Sequence, residues 1–409
     1  MKGYQFEDTQ GTFHLKKAEN ISYLYFPIAG EAGLKSSLTP NLGGDAKIDQ
    51  NTFLLEPVSA ENLVNNRNSR NFWCNVKGIG SWSLTGNAAE ALSKKFTEMQ
   101  DDSEVTAGFM WQKTTRESKK YQLRGEILSF IPVEKNVEVM LVTITNTGRM
   151  AQTVTPTAAI PLYGRSADNI RDHRHVTSLL HRIETTDIGV LVTPTLSFDE
   201  RGHQVNHMTY YCVGWSGNGE KPVDFYPTAE DFVGEGGNFE RPYAIVKNAE
   251  GVKAGTRIEG LEAVGGLHFS EVTLEPEEEC SYLIFTGITE DIQEIRNLSK
   301  TYTTREMVLE ELEKTKAYWQ EKVNVAYHTG DSDFNQFMHW VSFQPILRRI
   351  YGCSFLPHHD YGKGGRGWRD LWQDCLALLI MNPDGVRQML LDNFAGVRVD
   401  GSNATIIGS

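Results

Sequence analysis

Cysteine is scarce in this chain: five in 409 residues, at Cys74, Cys212, Cys280, Cys353 and Cys375, with no Cys-x-x-Cys spacing. An odd, scattered set excludes a disulfide framework and the common zinc motifs, and predicts reduced, mostly buried thiols in a cytoplasmic protein without a metal. Long apolar runs are absent too. The first residues, Met1-Lys2-Gly3-Tyr4-Gln5-Phe6-Glu7-Asp8, hold no signal-peptide core. No run approaches the roughly 18 apolar residues that a membrane helix needs. The sequons at Asn20, Asn297 and Asn403 are then chance matches. Basic charge is in deficit, with a net charge of −13 and no basic stripe. That excludes general binding to nucleic acid or to an anionic membrane face, so any anion site must be local.

Helical periodicity is nearly absent before Ile288, apart from a short candidate at Ala88–Glu98. In its place are short runs rich in Val, Ile, Thr, Tyr and Phe, broken by Gly, Asn, Asp and Pro. They include Val137–Asn146, Thr153–Ile160, Gly189–Pro194, His207–Trp215, Glu271–Glu275 and Cys280–Thr286. Many short strands at such spacing predict an antiparallel β-sandwich over residues 1–300. Charged and apolar residues alternate over Tyr121–Ile131, which suits strands with one solvated face. The glycines Gly234, Gly236 and Gly237 read as a loop, and Trp73, Trp82 and Trp111 as core residues before sugar platforms.

The texture changes near Thr301. Thr303 or Thr304 can cap a helix on which Val308, Leu309, Leu312, Trp319 and Val323 share a face, giving a helical linker over 301–329 whose charges are solvated. From residue 330 to 409 more helices follow. One begins after Asp331, with Phe334, Phe337, Met338 and Val341 at helical spacing, a kink at Pro345, and His339 as a satisfied, partly buried histidine. Another runs from near Arg369 to before Pro383, and a last one from Asp384 to Phe394, closing at Gly396.

The chain is organised around His358–Leu379, where a glycine-rich loop carrying Lys363, Arg366 and Arg369 feeds into an apolar helix. Glycines admit a ligand close to the backbone, and a helix start carries partial positive charge, so a phosphate or a cluster of sugar hydroxyls suits this place. It is not a nucleotide P-loop, because Gly364 follows Lys363 where Ser or Thr is required. Asp370 and Asp374 lie one helical turn apart, with Arg369, Trp368 and Trp372 beside them. Carboxylates and guanidinium fork onto vicinal hydroxyls while indoles cover the apolar side of a pyranose. A helix start with a stabilising Asp and core Trp residues demands the same residue types, so the motif alone leaves both readings open.

The segment Arg369-Asp370-Leu371-Trp372-Gln373-Asp374 resembles the Arg-Asp-x-x-Gln-Asp segment of the glycoside hydrolase family 94 phosphorylases, which lines their donor sugar subsite. With Gly367-Trp368 before it and Asn393–Thr405 after it, the chain is most similar to the 1,2-β-oligoglucan phosphorylase branch. Ser22–Pro27 and Arg70-Asn71-Phe72-Trp73 share that likeness. The resemblance implies a sandwich, a helical linker and the beginning of an (α/α)6 catalytic barrel over residues 330–409. It implies inverting phosphorolysis of β-linked, β-1,2 gluco-oligosaccharides to α-glucose 1-phosphate, with inorganic phosphate as co-substrate and no cofactor. Arg369, Asp370, Trp368, Trp372 and Asp374 would bind sugar, and Lys363 and Arg366 phosphate. The family's general acid is an Asp in a Trp-Asn-Asp-like motif further on; no such motif occurs here, so the acid is expected beyond Ser409, with the rest of the barrel or a complementary chain as partner. A non-catalytic carbohydrate-binding or assembly subunit, and a β-glucan hydrolase of similar barrel, are the alternatives.

Overall fold

The computed structural model describes residues 3–21, 25–58, 69–199, 202–352 and 366–407. Its largest sheet has eleven antiparallel strands. In spatial order they are Tyr4–Phe6, Phe13–Lys16, Asp102–Gly108, Trp111–Ser118, Leu123–Phe130, Val137–Asn146, Glu279–Thr289, Thr209–Ser216, Gly189–Val192, Arg182–Thr185 and Arg257–Glu259. A six-stranded sheet faces it, built on Gln152–Leu162 with Ala263–His268 and Asn71–Val76 at its sides. A four-stranded sheet, Phe26–Ala29 through Thr52–Leu55, closes one end of the core.

Strand Val137–Asn146 shows how the layers are held. Met140, Val142 and Ile144 point into the sandwich, against Phe72, Cys74 and Ile160 of the facing sheet. Val137, Val139 and Leu141 point the other way and are covered by Ile295 and Leu298 of helix α1 (Ile292–Thr301) and by Val308 and Leu312 of helix α2 (Arg305–Lys322). Both faces of this strand are therefore dry, which is why it reads as a continuous apolar run. The neighbouring strand Leu123–Phe130 alternates as expected only in its first half; from Ile127 to Phe130 every residue is buried, because the helices reach over it.

Helix α1 has no counterpart among the sequence expectations. Its start is set by Asp291, whose side chain accepts a hydrogen bond from the Gln293 N–H at 2.8 Å. Helix α2 follows Thr304, although the threonine hydroxyl makes no capping bond. Its buried Val308, Leu312 and Trp319 are the face read from the sequence, but they dock on the sheet and on a third helix. The helix expected at Ala88–Glu98 is confined to Ala89–Ser93. Gly234, at φ 71°, ends a short helix at Ala229–Val233, in keeping with a loop.

Helix α3 (Ser332–Tyr351) is capped by Asp331, which accepts from the Phe334 N–H at 3.1 Å, and contains Pro345. It packs on the hairpin turn between strands Asp102–Gly108 and Trp111–Ser118, where Phe109 lies 4.5 Å from Phe343 and 4.7 Å from Trp340, ring to ring. Met110, in the same turn, is buried in a left-handed conformation with φ 62°. Trp340 Nε1 donates to the Gly11 carbonyl at 2.7 Å, and Tyr351 Oη to that of Ile28 at 3.2 Å. His339 lies against Phe109 and within 3.3 Å of the Val323 carbonyl, a satisfied histidine. Helices α4 (Trp368–Met381) and α5 (Val386–Asn393) complete this helical unit, and Cys375, Leu378 and Val386 join its core.

Candidate functional site

The start of α4 is framed by backbone that the chain brings from two places. Arg366 and Gly367 pair antiparallel with Ile407 and Ile406, and the Trp368 N–H donates to the Thr405 carbonyl at 2.9 Å. The return segment is itself folded back: Ala404 N–H donates to Gly396 O at 2.9 Å, and Arg398 N–H to Ser402 O at 2.8 Å. At its turn Asp400 accepts from both the N–H and the hydroxyl of Ser402, which holds its carboxyl below the usual range. The two segments that carry the family likeness, 366–374 and 393–405, are thus neighbours in space.

An aromatic row lines the join. Trp368 and Trp372 meet edge to face at 5.3 Å, Trp372 meets Phe394 at 5.1 Å, and Trp368 Nε1 donates to the Asn393 carbonyl at 3.2 Å. Trp372 Nε1 is buried with no hydrogen-bond partner among the described residues. Gly367 leaves room for the Asp370 side chain, since a Cβ at that position would sit 2.6 Å from its Oδ2. The Asp370 carboxylate lies by the helix start, where the exposed N–H groups favour negative charge.

The two carboxylates one turn apart have different surroundings. Asp370 is partly exposed, with Arg369 Nη1 3.8 Å from its Oδ1 and the Arg369 side chain 79 % exposed. Asp374 is 1 % exposed and sits in a bidentate pair with Arg348 of α3, whose Nε lies 3.0 and 2.9 Å from its two oxygens. The bond from Asp374 raises the Arg348 pKa further, and Asp370 adds to that field. The structure thus places Trp368, Arg369, Asp370 and Trp372 at the start of α4, and Asp374 one turn on, where its pair with Arg348 ties α4 to α3. Of the expected phosphate ligands, Lys363 lies outside the described residues and Arg366 is described by its backbone alone.

Arg348 was not singled out from the sequence. A basic residue in the last turn of a helix ordinarily reads as a complement to the macrodipole, so its spacing gives no sign of a partner on α4. Among the described residues no group of three or more His, Cys, Asp or Glu side chains could hold a metal ion. No described helix is long and apolar enough to cross a membrane. Cys74, Cys212 and Cys375 are buried and in no disulfide, and burial pushes the Cys280 thiol up to about 11.

Comparison with known proteins gives three findings. The model of the glycosyl hydrolase 94 supersandwich domain matches residues 57–305, more than half of the chain. The cyclic beta-(1,2)-glucan synthase NdvB of Rhizobium meliloti (strain 1021) is 27% identical over 203 residues, which are 46% of this chain and 6% of that protein. A bacterial glucoamylase complexed with acarbose aligns with 94% of this chain and 54% of its own at a TM-score of 0.50 and 9% identity, a likeness of fold alone. The chain therefore spans about half the length of that glucoamylase and a small part of the synthase.

Proposed function

Because the chain belongs to the glycosyl hydrolase 94 family, we propose that it forms the sandwich and the donor-sugar end of an inverting phosphorylase. The reading that fits best is phosphorolysis of β-linked gluco-oligosaccharides. Phosphate attacks the anomeric carbon from the face opposite the leaving sugar, the glycosidic oxygen takes a proton from an acid, and α-glucose 1-phosphate departs. One carboxylic acid suffices, because phosphate is a nucleophile without a base; an inverting hydrolase needs two. No carboxylate of this chain is given the acid's role, since Asp374 is held by Arg348.

The observation that carries the proposal is the arrangement at the start of α4: an exposed Arg369 and a partly exposed Asp370 beside the Trp368–Trp372 pair, with the 393–405 segment folded against them. In this reading Arg369 donates to, and Asp370 accepts from, vicinal hydroxyls of the donor glucose, and an indole packs on its apolar face. Asp374 acts through Arg348 by fixing where α4 begins. Lys363 and Arg366 are assigned to phosphate. The β-1,2 linkage is supported by the likeness of the two motif segments and by the name of the glucan synthase relative. Helices α3, α4 and α5 are read as the first of an (α/α)6 barrel, supported by the exposed Leu376, Leu379 and Ile380 on α4.

The test is release of glucose 1-phosphate from 1,2-β-gluco-oligosaccharides with and without added phosphate, in the whole protein. Asp370→Ala should lower the rate by roughly two to three decades, the equivalent of about 3–4 kcal/mol of transition-state stabilisation. A variant at full rate would remove Asp370 from the site. Sugar released without phosphate would make the protein a hydrolase, and binding without turnover would make this chain a carbohydrate-binding or assembly part.

A further inference from the structure

A cleft of about 330 Å³ opens between α1 and the turn before strand Val137–Asn146, and none of its lining comes from α3, α4 or α5. Tyr211 lies in its lining. The residue is 3 % exposed, and its side chain lines the cleft. Glycine at 287 makes room for that hydroxyl, because a Cβ there would be 2.4 Å from Tyr211 Oη and 2.5 Å from the Asn136 carbonyl oxygen. The oxygen thus sits at the Asn136 end of the cleft, in the field of Glu294, and burial together with that carboxylate raises its pKa. The ring is buried while the hydroxyl reaches the cleft, so its hydrogen bonds are left for whatever occupies that cleft.

The walls say which ligand. Asn136 uses its amide oxygen to accept from the Leu34 N–H at 2.9 Å, so what it offers is its NH2. Glu294 accepts from Thr289 Oγ1 at 2.6 Å through one oxygen and keeps the other for a second donor. Asn297 brings an exposed amide, and Val137 and Leu298 supply an apolar wall. Lys135 is already engaged, donating to Tyr302 Oη at 2.8 Å, and it faces two carboxylates, Glu134 and Glu294, so an anion is disfavoured. Donors and acceptors around an apolar wall, without net positive charge, match the hydroxyls and the C–H face of a pyranose. We infer that this cleft is a second carbohydrate site, for a neutral pyranose, separate from the start of α4.

The test is saturation-transfer NMR and calorimetry on the 409-residue chain, with D-glucose and the β-1,2-linked glucose disaccharide as probes. Asn297→Ala and Tyr211→Phe should each weaken binding by about fivefold or more, while Asp370→Ala leaves this binding in place. Tyr211→Phe should melt at the wild-type temperature, because its hydroxyl reaches the cleft. The proposal is overturned if neither probe binds. It is overturned too if Asp370→Ala alone abolishes binding, which would leave the α4 site standing. A Tyr211→Phe protein that melts lower and binds as before would show the hydroxyl to be structural, with the same consequence.

Discussion

Strand Val137–Asn146 and helix α4 are both strongly apolar, and their fates differ. Every residue of the strand is buried, between the facing sheet on one side and α1 and α2 on the other. On α4, Leu371, Cys375, Leu378 and Met381 are buried, while Leu376, Leu379 and Ile380 are 67, 51 and 73 % exposed. An apolar pattern tells which side chains seek cover. It does not tell what provides it, and here the described sandwich covers its own residues whereas α4 keeps a second apolar face open.

The contrast can be tested, beginning where the sandwich is driest. Arg70 and Glu138 form an ion pair with both side chains 0 % exposed, and Glu138 also accepts from Ser36 Oγ at 2.5 Å. Glu138→Ala leaves the guanidinium buried against backbone carbonyls alone and should cost about 3–5 kcal/mol in urea denaturation. A loss under about 1 kcal/mol would break the picture of a closed interior. A second effect comes from His181, whose pKa burial and the nearby Arg165 lower from 6.5 to about 3. The folded state refuses a proton that the unfolded chain accepts. Stability from this group is therefore complete above pH 6.5 and is lost as pH falls towards about 3. The loss by that point should be about 4 kcal/mol, and His181→Gln should flatten that part of the stability curve. The smallest effect belongs to α4: Ile380→Ser should change stability by no more than about 0.5 kcal/mol in this chain. A larger loss would mean that the exposed face is covered after all.

The strands were legible because β-rich runs between turn residues are a local signal. Val137–Asn146 lies where it was expected, and Thr153–Ile160 falls inside Gln152–Leu162. Helix α1 was not read, although its signal is local: Ile292, Ile295 and Leu298 recur every third residue behind the cap Asp291, with Glu294 three residues after that cap. Nor was the docking of α2, since a charged helix with one apolar face reads the same whether that face meets a sheet or a neighbouring helix. At the site, Trp368, Arg369, Asp370 and Trp372 could be grouped because they are helical neighbours. Arg348 and Asp374 could not, because the pair joins residues 26 apart on different helices.

The turn at Phe109 and Met110 has a consequence for how such proteins are put together. Much of what the long hairpin offers the helical unit is two side chains at its tip, one of them Met110, held in a backbone conformation that bulky residues seldom adopt. The turn does not act alone: Trp340 also meets Phe13 and Phe26, Tyr351 reaches the Ile28 carbonyl and Arg349 reaches Glu31, so seating a different set of helices on this sandwich means rewriting several strand ends together with the turn.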